Sequence, residues 1–367
     1  MVSPDKRIHG GNMEGIKTDF SVNINPLGMP DGCREAIEGA MGSLDRYPKD
    51  HGELISKLSE RNGGNHVILG NGSCELIYSL CHYMAVKCPG YYALIYVPVF
   101  TEYEYAVRAC GGNCLKYKTK EEDGYTLTGD GLDSMLDLAD ENAGKGMPLR
   151  LVFICNPNNP TGHLINRDKL EQAADCLDKN GSLLVVDECF LRFSERYEEI
   201  TMTRVLKGHK NVIVLDAFTK FYAMPGLRLG YAVSSDEKLL DDIRHGIQPW
   251  NVSSPACEAA LRALEDDAYV KRTVEYIGSE REYLLRELAS SGLKVIGKPA
   301  AGFIFFRGPA GLREALNKEG MDIRDCRDMM KDYDDAGHLY RMAVGNESDN
   351  KRVIGEIRRL CTASGIK

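Results

Sequence analysis

Between about residues 65 and 235 the chain alternates short apolar runs, rich in β-branched residues, with segments of helical period, and nothing else restricts its fold as much. The runs are HVILG (66–70), ALIYVPV (93–99), RLVFIC (150–155), SLLVVD (182–187), NVIVLD (211–216) and LGYAVS (229–234). They are apolar throughout rather than alternating, as strands covered on both faces require. Among the intervening segments are CELIYSLCHYMAV (74–86) and RDKLEQAADCLDKNG (167–181), the second closed by Gly181 after Asn180, a usual helix end. The pattern predicts an α/β fold, a mostly parallel sheet with helices on both faces.

After QPWNVSSPACEAALRALED (248–266) the character changes to one long charged helix, AYVKRTVEYIGSEREYLLRELASSG (268–292), followed by short strands in LKVIG, GFIFFRG and LYRMAVG. We expect a large domain over 46–250 and a smaller α+β domain made from 251–367 together with the N-terminal arm, 1–45. The arm shows helical period only at DGCREAIEGAMG (31–42) and should pack on the small domain or on a partner subunit.

A formal net charge of -8 argues against nucleic-acid or anionic-membrane partners, so an anionic ligand must be met by a local cluster of cations. No apolar segment has the length of a membrane span and the first residues have no signal-like apolar stretch, which points to a cytoplasmic protein. The twelve cysteines show neither CxxC nor CxxH spacing and read as reduced thiols, with no metal. Cys74, Cys81 and Cys88 recur every seven residues, two helical turns, and are expected on a buried helix face.

In a parallel α/β sheet, ligands sit beyond the carboxyl ends of the strands, so the polar residues just after the apolar runs carry the information. NGSCE follows HVILG, and its Gly72, Ser73 and Cys74 lead into a helix whose free N–H groups would hold a phosphate. NPNNPTG follows RLVFIC and can aim the amide of Asn159 at a ring substituent. SLLVVD ends on Asp187, and NVIVLDAFT leads to Lys220, set among aromatic residues, with Arg228 eight positions on. Alone, a lysine after a strand is ordinarily solvated and an NG pair is ordinarily a turn. Together at one sheet edge, these are the parts needed to hold pyridoxal phosphate, with Lys220 as covalent anchor, Asp187 on the ring nitrogen, Arg228 on the phosphate and Phe100 against the ring.

The succession RYP (46–48), GNGSCE, VPVFTEY, NPNNPTG, VVDECF, FTKFYAMPGLRLGY and LYRMAVG resembles the aspartate aminotransferase superfamily over essentially the whole chain. The resemblance implies that family's large domain with a mostly parallel seven-stranded sheet, pyridoxal 5'-phosphate, and a homodimer in which Tyr47 reaches the neighbouring subunit's phosphate. It also implies His9, Asn23, Arg324 and Arg341 at the substrate and a small phosphorylated amino-acid or amine substrate; Thr219 or Ser73 supplies the cofactor hydroxyl that Ala217 lacks. Within the superfamily the chain is most similar to the branch of threonine-phosphate decarboxylases and histidinol-phosphate aminotransferases. HGGN (9–12), DFSVNINPLGMP (19–30) and QPWNVSSPA (248–256) favour the former, hence decarboxylation of L-threonine O-3-phosphate to aminopropanol phosphate for cobalamin synthesis; transamination is the alternative. The chain departs from the pattern at Ala217, where relatives place a hydroxyl on the phosphate, and at Phe190, where many aminotransferases have a tyrosine.

Overall fold

The computed structural model describes residues 10–11, 13–48, 51–144, 148–334 and 337–363. The N-terminal arm contributes the short strand β1 (Thr18–Asp19). The large sheet then holds β2 (His66–Gly70), β3 (Tyr92–Val97), β4 (Asn113–Lys118), β5 (Leu149–Cys155), β6 (Leu183–Asp187), β7 (Val212–Ala217) and β8 (Gly230–Ser234). The remaining strands are β9 (Lys294–Val295), β10 (Phe303–Arg307), β11 (Met321–Asp322), β12 (Arg324–Asp325) and β13 (Leu339–Ala343).

The large sheet has the order β2-β8-β7-β6-β5-β3-β4. Only β8 runs against the others, so the carboxyl ends of β2, β3, β5, β6 and β7 meet at one edge. The six apolar runs all lie in strands, and the seventh strand, β4, is NCLKYK. Its lysines and asparagine hide it from a hydrophobicity reading, because none of its six residues is fully buried, whereas all but the first residue of β2, at the opposite edge, are. The helix Arg167–Lys179 buries Leu170, Ala173, Ala174 and Leu177, a 3.6-residue stripe, and stops at Asn180, with Gly181 at φ 64. Burying each leucine of that stripe contributes about 1.5–3 kcal/mol.

The helix Ser73–Lys87 buries Leu76, Ile77, Leu80, Cys81 and Met84. The heptad of cysteines divides along it: Cys81 is in the core, Cys88 is the residue after the helix and half-buried, and Cys74 faces the cleft described below.

The second sheet, β12-β13-β10-β9, is antiparallel throughout. Of the two packing options for the N-terminal arm, contact with this part of the chain is observed: β1 pairs with β11 in parallel, Thr18 beside Met321. Asn25 of the arm ties three pieces together, its amide donating to the Phe221 carbonyl, Tyr269 Oη and Thr273 Oγ1 at 2.7–2.9 Å. Its backbone N–H also donates to the Lys220 carbonyl, which holds the lysine loop from outside the large sheet. No helix among the described residues is long and apolar enough to cross a membrane.

Candidate active site

The strand ends at the shared edge open into a cleft of about 410 Å³ whose far wall is the β12–β13 pair. Between β3 and β5 the chain connections run off in opposite directions, the position where parallel sheets leave a crevice. Eleven residues singled out from the sequence line it: Asn23, Ser73, Cys74, Phe100, Asn159, Asp187, Thr219, Lys220, Arg228, Arg324 and Arg341.

Asp187 closes β6 and is buried, and its surroundings push its carboxyl pKa up, burial being the main cause. Tyr103 Oη donates to one carboxylate oxygen at 2.7 Å and the Cys189 N–H to the other at 3.0 Å. Among the described residues it has no ion pair, so a buried negative charge waits at the floor of the cleft without a cation. A protonated ring nitrogen is a group that fits there.

Lys220 stands three residues beyond β7. Burial, then the nearby Arg341 guanidinium, lowers its pKa to about 8, so a minority of neutral amine is available near neutral pH, far more than for an ordinary lysine. Lys220, Arg228, Arg324 and Arg341 supply the local positive cluster that an acidic chain needs to hold an anion.

The phosphate corner is built by close approach of backbones. Gly72 caps the helix Ser73–Lys87 at φ 77 with no side-chain cap, leaving the first N–H groups of a fifteen-residue helix without a side-chain acceptor. A Cβ on Gly72 would lie 2.5 Å from Arg228 Nη2, and one on Gly230 would lie 2.4 Å from the Ser73 nitrogen. Two bare glycines therefore let the guanidinium and the β8 strand close on the helix start. Arg228 itself is left-handed, φ 58, a conformation that costs about 1–2 kcal/mol away from glycine. Ala217 is buried in β7 and is not part of the cleft wall, whereas the Ser73 and Thr219 hydroxyls are. Gly72→Ala is expected to weaken pyridoxal phosphate binding about tenfold, equivalent to about 1.4 kcal/mol, measured by fluorescence titration of the apo-protein. Unchanged affinity would mean that Arg228 does not depend on this contact.

On the far wall Arg341 donates to Asn159 Oδ1 and, at 2.7 Å, to the Ser21 carbonyl. Engaging the amide oxygen turns the Asn159 NH₂ the other way, as a donor for a ring substituent. Burial lowers the Arg341 pKa to about 10, which leaves it charged at neutral pH. Arg324 pairs with Asp328 at 2.6 Å. Asn23 is buried, and its Oδ1 has no hydrogen-bond partner among the described residues, which leaves an acceptor open at the cleft wall. Phe190 also lines the cleft, packed edge-on against Phe303 at 5.0 Å.

Tyr47 is elsewhere. It is 74% exposed and stacks on Trp250 at 4.2 Å, outside its own chain's cleft. His9 lies outside the described residues. Sequence reasoning passed over Tyr103, Ser21, Cys189 and Met329. Tyr103 was accessible to it: it lies three residues after Phe100 in VPVFTEY, one helical turn, and its ring stacks on Phe153 at 4.9 Å. Ser21 and Met329 give no such signal, since one acts through its carbonyl and the other arrives by tertiary folding.

The family model for aminotransferase class I and II matches residues 15–357. The chain is 30% identical to the threonine-phosphate decarboxylase of Salmonella typhimurium over 370 residues, 96% of each protein. It is 32% identical to a putative threonine-phosphate decarboxylase of Caldanaerobacter subterraneus over 362 residues, 96% of this chain and 93% of that one. Among solved structures, the histidinol-phosphate aminotransferase of Clostridium acetobutylicum superposes with a TM-score of 0.82 at 26% identity, covering 94% of this chain and 99% of that one. The matched span takes in both sheets and, apart from the undescribed His9, every residue proposed for the site, and the chain belongs to the aminotransferase class I and II family.

Proposed function

We propose that the protein is a pyridoxal-phosphate enzyme that decarboxylates L-threonine O-3-phosphate to aminopropanol phosphate. The observation that carries this reading is the pair of buried arginines, Arg324 and Arg341, opposite one another on β12 and β13 and facing the strand-end edge that holds Lys220 and Asp187. Two guanidinium forks suit a substrate with an anion at each end. The two decarboxylase relatives, each matched over almost the whole chain, support the choice of substrate.

Bound pyridoxal phosphate supplies a conjugated ring able to accept the electron pair of a bond broken at the substrate's Cα. The chain's own residues do the rest. Ser73, Thr219, Arg228 and the helix start at Gly72 and Cys74 would hold the phosphate, Phe100 would face the ring, and the Asn159 NH₂ would donate to its phenolic oxygen. Asp187, oriented by Tyr103 and the Cys189 N–H, holds a proton on the ring nitrogen. Arg341 grips the α-carboxylate and Arg324 the distal phosphate, with Asn23 and His9 beside them. Lys220 Nζ anchors the cofactor and, once released, carries a proton to Cα. Phe190 brings no hydroxyl to the cofactor, so the phenolic oxygen relies on Asn159.

A second copy of the chain would complete the phosphate corner through Tyr47, a role supported by its exposure and by its place outside the cleft of its own subunit. That arrangement makes a homodimer the working unit.

Transamination is the second reading, favoured by the high structural similarity to a histidinol-phosphate aminotransferase. The two are separated by supplying L-threonine O-3-phosphate and following CO₂, with histidinol phosphate plus 2-oxoglutarate run in parallel for glutamate. CO₂ without a keto acid is the expected result. Glutamate without CO₂ would transfer the assignment to the aminotransferase.

A further inference from the structure

The register of β12 and β13 sets Arg324 directly across from Arg341, both almost fully buried. Like charges in that relation repel, and burial makes the repulsion more costly. The two guanidinium groups are steadied by different means. Arg341 rests on neutral acceptors, the Ser21 carbonyl and Asn159 Oδ1. Arg324 donates to a carboxylate, Asp328 Oδ2, at 2.6 Å. The second oxygen of that carboxylate, Oδ1, is buried and has no hydrogen-bond partner among the described residues. A partly buried carboxylate with one oxygen shut away from water and unpaired is a costly way to steady an arginine, so its charge calls for an explanation.

Asp328 is also fixed in place. Behind it, the Cys326 N–H donates to the Leu339 carbonyl, joining the segment to β13. Ahead of it, Lys331 pairs with Glu104 at 3.2 Å and Asp332 with Lys116 at 3.0 Å, while Tyr333 Oη donates to the Thr119 carbonyl at 3.0 Å. These partners belong to the large domain. Stitched at both ends, the segment keeps the carboxylate behind Arg324, in the crevice it shares with Phe100.

We propose that Asp328 is the positioning residue of the distal anion anchor: its oxygen aims Arg324 at the substrate's phosphate, and its fixed charge cancels part of the arginine's attraction. This rests on Arg324 as the phosphate anchor. The two effects are separable by substitution, because Asp328→Asn keeps an acceptor oxygen and removes the charge, whereas Asp328→Ala removes both.

The test mixes holoenzyme rapidly with O-phospho-L-threonine (the proposed substrate, L-threonine O-3-phosphate) or with L-threonine, reading dissociation constants from the amplitude of the cofactor's absorbance change before turnover. Asp328→Ala is expected to weaken O-phospho-L-threonine about tenfold and to leave L-threonine within about twofold. Asp328→Asn is expected to tighten O-phospho-L-threonine several-fold, since one repelling charge is gone. Equal effects of the two substitutions, or equal effects on the two ligands, would overturn the proposal. Arg324→Ala serves as the reference: if it leaves the ratio of the two constants unchanged, the anchor assignment itself fails. If it changes that ratio and neither Asp328 substitution does, only the positioning role is lost. Should Asp328→Ala not fold, Asp328→Asn alone decides, because a merely structural residue would not bind phosphate more tightly once its charge is removed.

Discussion

Lys220→Ala protein should carry no covalently attached cofactor and should lose measurable turnover. After borohydride reduction, mass spectrometry of the wild-type digest should find pyridoxal phosphate on the peptide containing Lys220, and the variant should show none. Two functions disappear together, the covalent anchor and the proton carrier, and positioned proton transfer alone contributes about 10²–10⁴-fold. The pH profile of cofactor uptake by the apo-protein gives an independent check. Burial and the Arg341 charge hold the lysine pKa at about 8, and only the neutral amine attacks. Covalent uptake should therefore accelerate as pH rises through about 8 and level off above it. A profile still rising steeply between about pH 9 and pH 10 would place the lysine near its ordinary value and contradict the burial argument.

Asp187→Ala is the second large effect, with the catalytic rate expected to fall at least about 100-fold. A carboxylate placed beside the ring nitrogen would favour its protonated form by about 1–3 pKa units, and without that proton the ring is a poorer electron acceptor. Stability should respond in the opposite sense in the apo-protein. There Asp187 is a buried carboxylate with no cation and a pKa raised by burial, so removing it is expected to leave the apo Tm unchanged or higher. The rise in Tm on adding pyridoxal phosphate should shrink, because the variant no longer gains an ion pair on binding. Activity within a few-fold of wild type would show that Asp187 does not govern the ring nitrogen.

What was legible in the residues follows from the range of the forces involved. The strands that build the sheet are continuous apolar runs because both their faces are covered, and β4 escaped notice because it is covered less completely. Phe100, Asn159, Asp187 and Lys220 could be located because a parallel sheet gathers its strand ends at one edge, so position after a strand is already position in the cleft. Tyr47 was assigned by resemblance, and within a single chain it does not line that cleft but stacks on Trp250.

The α/β class, the edge on which the chemistry gathers, and the residue types that can hold a phosphate, a ring nitrogen and a covalent cofactor were readable from the residues alone, because each is encoded in local period and in residues adjacent to strands. Three-dimensional packing supplies the rest: among the described residues Asp187 has no cation and leans on Tyr103, Gly72 must be bare for Arg228 to approach and Gly230 for β8 to reach the helix start, and Arg324 faces Arg341 with Asp328 behind it. Those facts depend on burial and on contacts between segments far apart in the chain, and desolvation and Coulomb forces act through space without regard to sequence separation.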